Sequence, residues 1–226
     1  MGEIAINNRS NAALNPKAVF TDALDMDDYL SARMISSPLC LFDCDVPVDA
    51  STAIIVSRAE AAEDVASPVY LEAMGCALHG QDSWDNYSPN LTEMAAHDAA
   101  CAMWSQTDLT PADVETAQLY DGFSMLTLSW IEALGFCGRG EASDFLKGGG
   151  NIAREGRLPL NTNGGQLSGG RTHGFGYFYE AIMQLRGDAG ERQVARRPMA
   201  AAVANRGGPP GSSFLTRTHA RPLACA

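Results

Sequence analysis

Asn161-Thr162-Asn163-Gly164-Gly165-Gln166-Leu167-Ser168-Gly169-Gly170-Arg171-Thr172-His173-Gly174-Phe175-Gly176 is the stretch on which the reading of this chain turns. Glycines at 164, 165, 169, 170, 174 and 176 let the backbone take positive φ and approach a neighbour closely. The stretch runs into an amphipathic pattern, with Phe178, Ala181, Ile182 and Leu185 at helical spacing and Gly187 to stop them. A helix start offers unpaired N–H groups and a partial positive charge. A glycine-rich loop feeding such a start can hold a thioester oxygen, an enolate or a phosphate. Glycine-rich loops also serve as plain turns, and both readings stand at this level.

Outward from that stretch, strands and helices alternate. Val69 to Met74 reads as a strand, and Leu91, Met94, Ala95, Ala99 and Ala102 share one face of a helix. Val114 to Tyr120 is a second strand candidate. Phe123, Leu126, Thr127, Trp130, Ile131 and Leu134 form the clearest helical stripe, and Gly135 can end it. Met199 to Ala204 and Ser213 to Thr216 read as closing strands around the turn Gly207-Gly208-Pro209-Pro210-Gly211. This alternation predicts a layered α/β domain. Toward the start, residues 1–45 read as irregular and partly helical. Ala53-Ile54-Ile55-Val56 predicts a buried strand, and the acidic, alanine-rich run from Ala59 to Ser67 before Pro68 is a boundary between two halves.

The chain has 226 residues, 46% of them hydrophobic, enough for one or two domains with a full core. A formal net charge of -11 argues against a nucleic-acid binder, which shows a clustered basic face. No apolar run reaches membrane-spanning length, and Met1-Gly2-Glu3-Ile4-Ala5 does not begin a secretory signal. Six scattered cysteines point to a reducing cytoplasm. Cys40-x-x-x-Cys44 has no partner pair at zinc-site spacing, so no metal is expected.

Three residues stand out as chemistry. His173 lies near a helix start and is either an acid or base or a structural histidine. Arg171 can bind a phosphate or carboxylate, or cap a surface. Tyr120, in Tyr120-Asp121-Gly122-Phe123, sits where a strand gives way to a helix and can donate to a carbonyl oxygen or simply pack. Asp121 reads as the cap of the following helix. Ser168 is not in a Gly-x-Ser-x-Gly elbow, and Gly148-Gly149-Gly150 is no phosphate-binding P-loop.

These segments, in this order, resemble the second half of thiolases. Asn161 to Gly176 is similar to the family's Asn-x-x-Gly-Gly followed by Gly-His-Pro, and Tyr120 to Phe123 to its Asn-Glu-Ala-Phe or His-Asp-x-Phe box. The wording NTNGGQLSGGRTHGFG, followed by QLRGDAGERQV, resembles the sterol-carrier and non-specific lipid-transfer-protein branch most. The resemblance implies a thiolase-type α/β fold, with a mixed five-stranded sheet in the second half and helices on both faces. Residues 1–67 correspond to a remnant of the first half, a loop region over 1–48 and its last strand over 49–57; residues 68–226 correspond to the second-half domain.

The resemblance implies an acyltransferase acting on acyl-coenzyme A in lipid or sterol metabolism, with coenzyme A as substrate and no tightly bound cofactor. His173 and Tyr120 are the expected catalytic residues; Arg171, Gly164, Gly165 and Asn163 are expected to bind substrate. Three departures are visible. The family's nucleophilic cysteine belongs to a part of the first half that these residues do not contain. Its second cysteine has no counterpart in Ala204-Asn205-Arg206-Gly207-Gly208-Pro209. Arg171 aligns with the family histidine, and Tyr120 replaces the Asn or His of the oxyanion box. Steroid side-chain aldolases of the same branch resemble this chain in using tyrosine there and work with an OB-fold partner, so a retro-aldol lyase is the first alternative. A non-catalytic subunit is the second. With most of a first half missing, helices 123–134 and 174–186 are expected to lack cover on an apolar face. The chain should then pair with itself, with a separate thiolase half or with an OB-fold protein.

Overall fold

The computed structural model describes residues 1–79, 94–208 and 210–219. Leu91 and Pro209, named above, and the sixth cysteine, Cys225, lie outside them. Strand β3 (Tyr70–Leu78), β4 (Thr116–Gln118), β5 (Ala200–Arg206) and β6 (Pro210–Arg217) form a sheet in the order β3-β6-β5-β4. β6 is antiparallel to β3 and β5, and β4 is parallel to β5, so the sheet is mixed, as expected. The described sheet has four strands rather than five. Beyond β4 there is a single parallel bridge between Ala117 and Leu160. Pro159 has no N–H to extend that ladder and Asn161 leaves the extended region at φ 49, so no fifth strand grows.

Helices cover both faces. α3 (Ala95–Trp104) lies so close to one face that a Cβ on Gly75 would stand 1.9 Å from the Ala99 carbonyl oxygen. Ser213 donates from its hydroxyl to the same carbonyl at 3.0 Å. On the other face, α6 (Phe175–Arg186) sets Phe178 edge-on against Phe214, ring centres 4.7 Å apart. β5 has both sides covered, and Ala200 to Ala204 are all buried. α4 (Ser124–Ala133) packs beside α3 with Leu126, Trp130 and Ile131 in the core. The expectation of an uncovered apolar face therefore fails for α4, whose stripe faces inward. On α6 it holds in part: Phe175 is 59% exposed and Tyr179 37%, while Tyr177, Ala181 and Leu185 are buried.

The first residues are more ordered than their composition suggests. α1 (Gly2–Ala12) buries Ile4, Ala5 and Ala12 together with Asn7, Asn8, Arg9 and Asn11. α2 (Met26–Ser31) follows, capped by Asp25, and then a small hairpin of β1 (Met34–Ser36) and β2 (Leu39–Cys40). Ile4, Ala5 and Leu24 belong to the same hydrophobic core as Leu126 and Trp130. The expected strand at 53–56, within the expected last strand over 49–57, is absent: the run has no regular structure, with Ile55 96% and Val56 86% exposed. No described strand pairs with it, and β-branched composition without a neighbouring edge does not make a strand. α5 (Ala142–Leu146) completes the helices.

Candidate active site

Two sequence motifs meet at the C-terminal end of β4. Chain leaving β4 passes through Leu119 and Tyr120, turns at Asp121-Gly122 and enters α4. Against it lies the glycine-rich stretch, which folds into one π-helical turn over Gly165–Gly169 and then enters α6 at Gly174. Asp121 does not cap α4; the residue before the helix is Phe123, which makes no side-chain cap. Asp121 is fully buried instead. It accepts from the Asn8 amide at 2.6 Å, from the Gln166 backbone N–H at 2.8 Å, from Leu167 N–H at 3.2 Å and from the Tyr177 hydroxyl. Burial raises its pKa to about 6, against the opposing pull of these donors.

That carboxylate explains why residue 165 is glycine. Its φ is +59°, and an added Cβ would fall 2.1 Å from Asp121 Oδ2 and 2.7 Å from Asn8 Nδ2. Asn163 turns its Oδ1 to the Gly165 N–H at 2.9 Å. The amides of 165, 166 and 167 are thus engaged by the protein's own groups, and Asn163, Gly164 and Gly165 support the loop from behind. α1 and the turn that follows it hold that support. Asn7, Asn11 and Asn15, four residues apart, donate to backbone carbonyls: Asn7 and Asn11 to Leu160 at 3.0 and 2.9 Å, Asn15 to Asn163 at 2.8 Å. Arg9 adds a bond from Nε to the Ser168 hydroxyl at 3.0 Å.

On the front, a short extended strap of residues 44–46 joins the two motifs. Asp45 N–H donates to Gly122 O at 3.2 Å, Val46 N–H to Gln166 O at 3.1 Å, and Arg171 N–H to Val46 O at 2.8 Å. Arg171 also reaches back from its guanidinium to Asp45 Oδ1 at 3.3 Å. Burial raises the Asp45 pKa, while the Arg171 and His173 charges lower it. Tyr120 is buried, its ring edge-on to Tyr177 with centres 6.4 Å apart. Burial pushes its phenol pKa up; the adjacent Gln166 side chain draws it down, Asp45 adds to the rise, and Arg206 opposes it. Gln166 accepts the His173 backbone N–H on Oε1 at 3.0 Å, and its buried Nε2 has no hydrogen-bond partner. His173 is exposed and held at φ 50. Asn205, whose buried Oδ1 is likewise unpartnered, presses against Gly174, and Arg206 follows at φ 59.

The structure therefore brings Tyr120, Arg171 and His173 to one place, as their motifs suggested, and adds Asp45, Gln166 and Asn205, which sequence reading missed. Gln166 sat unremarked inside the quoted stretch. Asp45 had no motif to mark it. A cleft of about 950 Å³ lies elsewhere: it is bordered by Lys17, Thr52, Asn163, Thr172, Tyr179 and Arg192, and touches none of Tyr120, Arg171 and His173. It adjoins the far side of the loop, whereas the titratable groups converge on the Tyr120 side. Among the described residues, no three His, Cys, Asp or Glu side chains are grouped to hold a metal, and no helix is long and apolar enough to cross a membrane.

Comparison with known proteins adds an independent line. Residues 79–216 match the family model described as thiolase C-terminal domain-like. The 17-hydroxy-3-oxo-4-pregnene-20-carboxyl-CoA lyase of Mycobacterium tuberculosis is 42% identical over 82% of this chain and 49% of its own length. A steroid side-chain-cleaving aldolase of Thermomonospora curvata is 37% identical over the same shares, so the chain spans about half the length of these relatives. A solved structure described as the Ltp2-ChsH2(DUF35) aldolase superposes with a TM-score of 0.85 at 32% identity, covering 99% of this chain and 59% of that one. With the mixed sheet, the glycine-rich loop and the tyrosine box in the expected order, these matches establish that the chain belongs to the thiolase superfamily, in its sterol-carrier and lipid-transfer-protein-like branch.

Proposed function

We propose that the chain supplies the active site of a carbon–carbon lyase that cleaves β-hydroxyacyl coenzyme A thioesters of sterol-derived or other lipid acids by a retro-aldol reaction. The observation that carries this reading is Tyr120, a buried phenol at the end of β4 beside Gln166 and Asp45. Acyl transfer of the thiolase type needs a thiolate. Cys44, next to the strap, has its thiol pushed up by burial and by the carboxylates of Asp43 and Asp45, which is the opposite of activation. A retro-aldol cleavage needs no thiolate. The β-hydroxyl loses its proton, the bond between the α and β carbons breaks, and the electron pair moves into the thioester carbonyl as an enolate. A phenol whose raised pKa keeps its proton can donate to that developing oxyanion.

The substrate pattern follows from the relative's name: a 17-hydroxyl and a 20-carboxyl thioester place the hydroxyl β to the carbonyl. Arg171 and exposed His173 stand at the rim of this site, suited to the anionic carrier of such a thioester, so coenzyme A enters as part of the substrate. Gly164, Gly165 and Asn163 act indirectly, by setting the path of the loop. The five described cysteines are free thiols, which suits a reducing cytoplasm. Exposed Phe175 and Tyr179 on α6 suit assembly, and the solved aldolase with two named components supports a hetero-assembly over a lone chain.

The test is to give the chain, in its native assembly, a β-hydroxyacyl and a 3-ketoacyl thioester. The expected result is a free ketone or aldehyde and a shorter acyl thioester from the first. Coenzyme A-dependent thiolysis of the second would return the function to acyl transfer. Turnover of neither would leave a non-catalytic binding subunit.

A further inference from the structure

A retro-aldol step needs a group to take the hydroxyl proton, and resting on the lyase reading, the structure assigns that role to Asp45. Three features of geometry point to it. The strap holds it by main chain on both sides: its own N–H bonds Gly122, two residues after Tyr120, and the next residue is pinned to Gln166 and Arg171. Its side chain is 13% exposed, so it is neither a solvated surface carboxylate nor sealed away. Only Oδ1 is engaged, by Arg171 at 3.3 Å, and Oδ2 accepts no hydrogen bond among the described residues. The other carboxylate near Tyr120, Asp121, has its oxygens taken by Asn8, Gln166, Leu167 and Tyr177 and has no free acceptor to offer.

The step balances within the chain and substrate. The proton of the β-hydroxyl passes to Asp45 Oδ2 as the O–H bond breaks and the β carbon becomes a carbonyl. The α–β electron pair becomes the enolate, whose oxygen takes a hydrogen bond from Tyr120. Protonation of the α carbon then returns the proton that Asp45 received, and the carboxylate is restored. The charged and titratable groups facing Asp45 are Arg171 and His173 from the loop before α6, Tyr120 from the end of β4, and Cys44 beside it on the strap. Burial makes the carboxylate more basic, and the Arg171 guanidinium at 3.3 Å opposes that rise.

Asp45→Asn preserves shape and removes the acceptor. In the native assembly it is expected to lower kcat for the β-hydroxyacyl thioester by about 100-fold or more with little change in KM. The limb of the pH profile on which rate rises as a carboxyl loses its proton should disappear. Arg171→Met, which removes the cation and leaves the carboxylate, should keep that limb and move it to higher pH. Independently of turnover, the Tyr120 phenol should titrate at lower pH in Asp45→Asn than in the parent, read by tyrosinate absorbance with Tyr120→Phe as the blank. Asp45→Asn that folds cooperatively and keeps kcat within about threefold would overturn the assignment while leaving the lyase intact. A Tyr120 titration unmoved by Asp45→Asn would overturn it too. Thiolysis in place of cleavage by the unmodified assembly would overturn the lyase and Asp45's role together, and the unmutated control shows which has failed.

Discussion

The two sides of the glycine-rich loop treat their carboxylates differently. Behind it the Asp121 carboxylate is matched by four donors, and Asn11 of α1 and Asn15 just after it place amides on the carbonyls of Leu160 and Asn163, with Asn8 Oδ1 the buried acceptor there that has no partner among the described residues. In front, around Tyr120, groups are left open: Gln166 Nε2 and Asn205 Oδ1 are buried without partners, and Asp45 keeps one oxygen free. A buried group without a partner costs roughly 1–3 kcal/mol on either side, and what sets the front apart is a carboxylate oxygen left open to accept a proton. The contrast separates what holds the loop from what the loop is for, although both sides belong to one run of sequence.

The sharpest way to break the rear is Gly165→Ala. Its Cβ would meet Asp121 Oδ2 at 2.1 Å with φ already at +59°, and the short, buried and mutually hydrogen-bonded side chains of Asp121 and Asn8 leave little room to yield. The expected loss is about 3–5 kcal/mol of unfolding free energy, read by urea denaturation. Breaking the front should leave stability nearly untouched. Tyr120→Phe removes one oxygen whose hydrogen-bonding neighbour is the Gln166 side chain, so unfolding should shift by about 1 kcal/mol. Turnover should fall by about 100- to 1,000-fold. A variant that instead unfolds and turns over normally would reverse the assignment of the two sides.

A smaller effect sharpens the comparison through pH. Asp121 titrates at about 6 when folded, against an ordinary value of 3.8 when unfolded. The folded state then binds more protons between those values, so its stability is greatest below the unfolded value and declines as pH rises through about 6. The ceiling on that decline is about 3 kcal/mol. Denaturation midpoints from pH 4 to 7, compared with Asp121→Asn, should show the slope in the parent and its loss in the variant.

The elements that periodicity could find were legible. β3, β5, β6, α4 and α6 carry apolar residues at their own repeat, and each lies within a few residues of its expected place. The residues that position the site were less so. α1 has almost no apolar face because its inward side carries amides; the Asn7, Asn11, Asn15 spacing was the available signal, and it marks a polar stripe that hydrophobic patterning does not weigh. Asp121 sits where caps usually sit, and only the tertiary approach of Gln166 and Tyr177 turns it inward. Ala53 to Val56 has a strand's composition and no edge to join. Asp45 became part of the site through pairing with Gly122, Gln166 and Arg171 across long sequence separations, which no local pattern encodes.

Because Asn7 and Asn11 of α1 and Asn15 just after it grip main-chain oxygens, their hold does not depend on which side chains the loop carries at the gripped positions. Every residue brings a carbonyl, so the outward-facing residues of this loop can be exchanged without loosening it. The same fastening can therefore present a histidine or an arginine at position 171, or a tyrosine in place of another donor at 120, while the path of the chain stays put. In that sense α1 works as a chassis, letting one ancestry try several chemistries on the opposite side of a single turn.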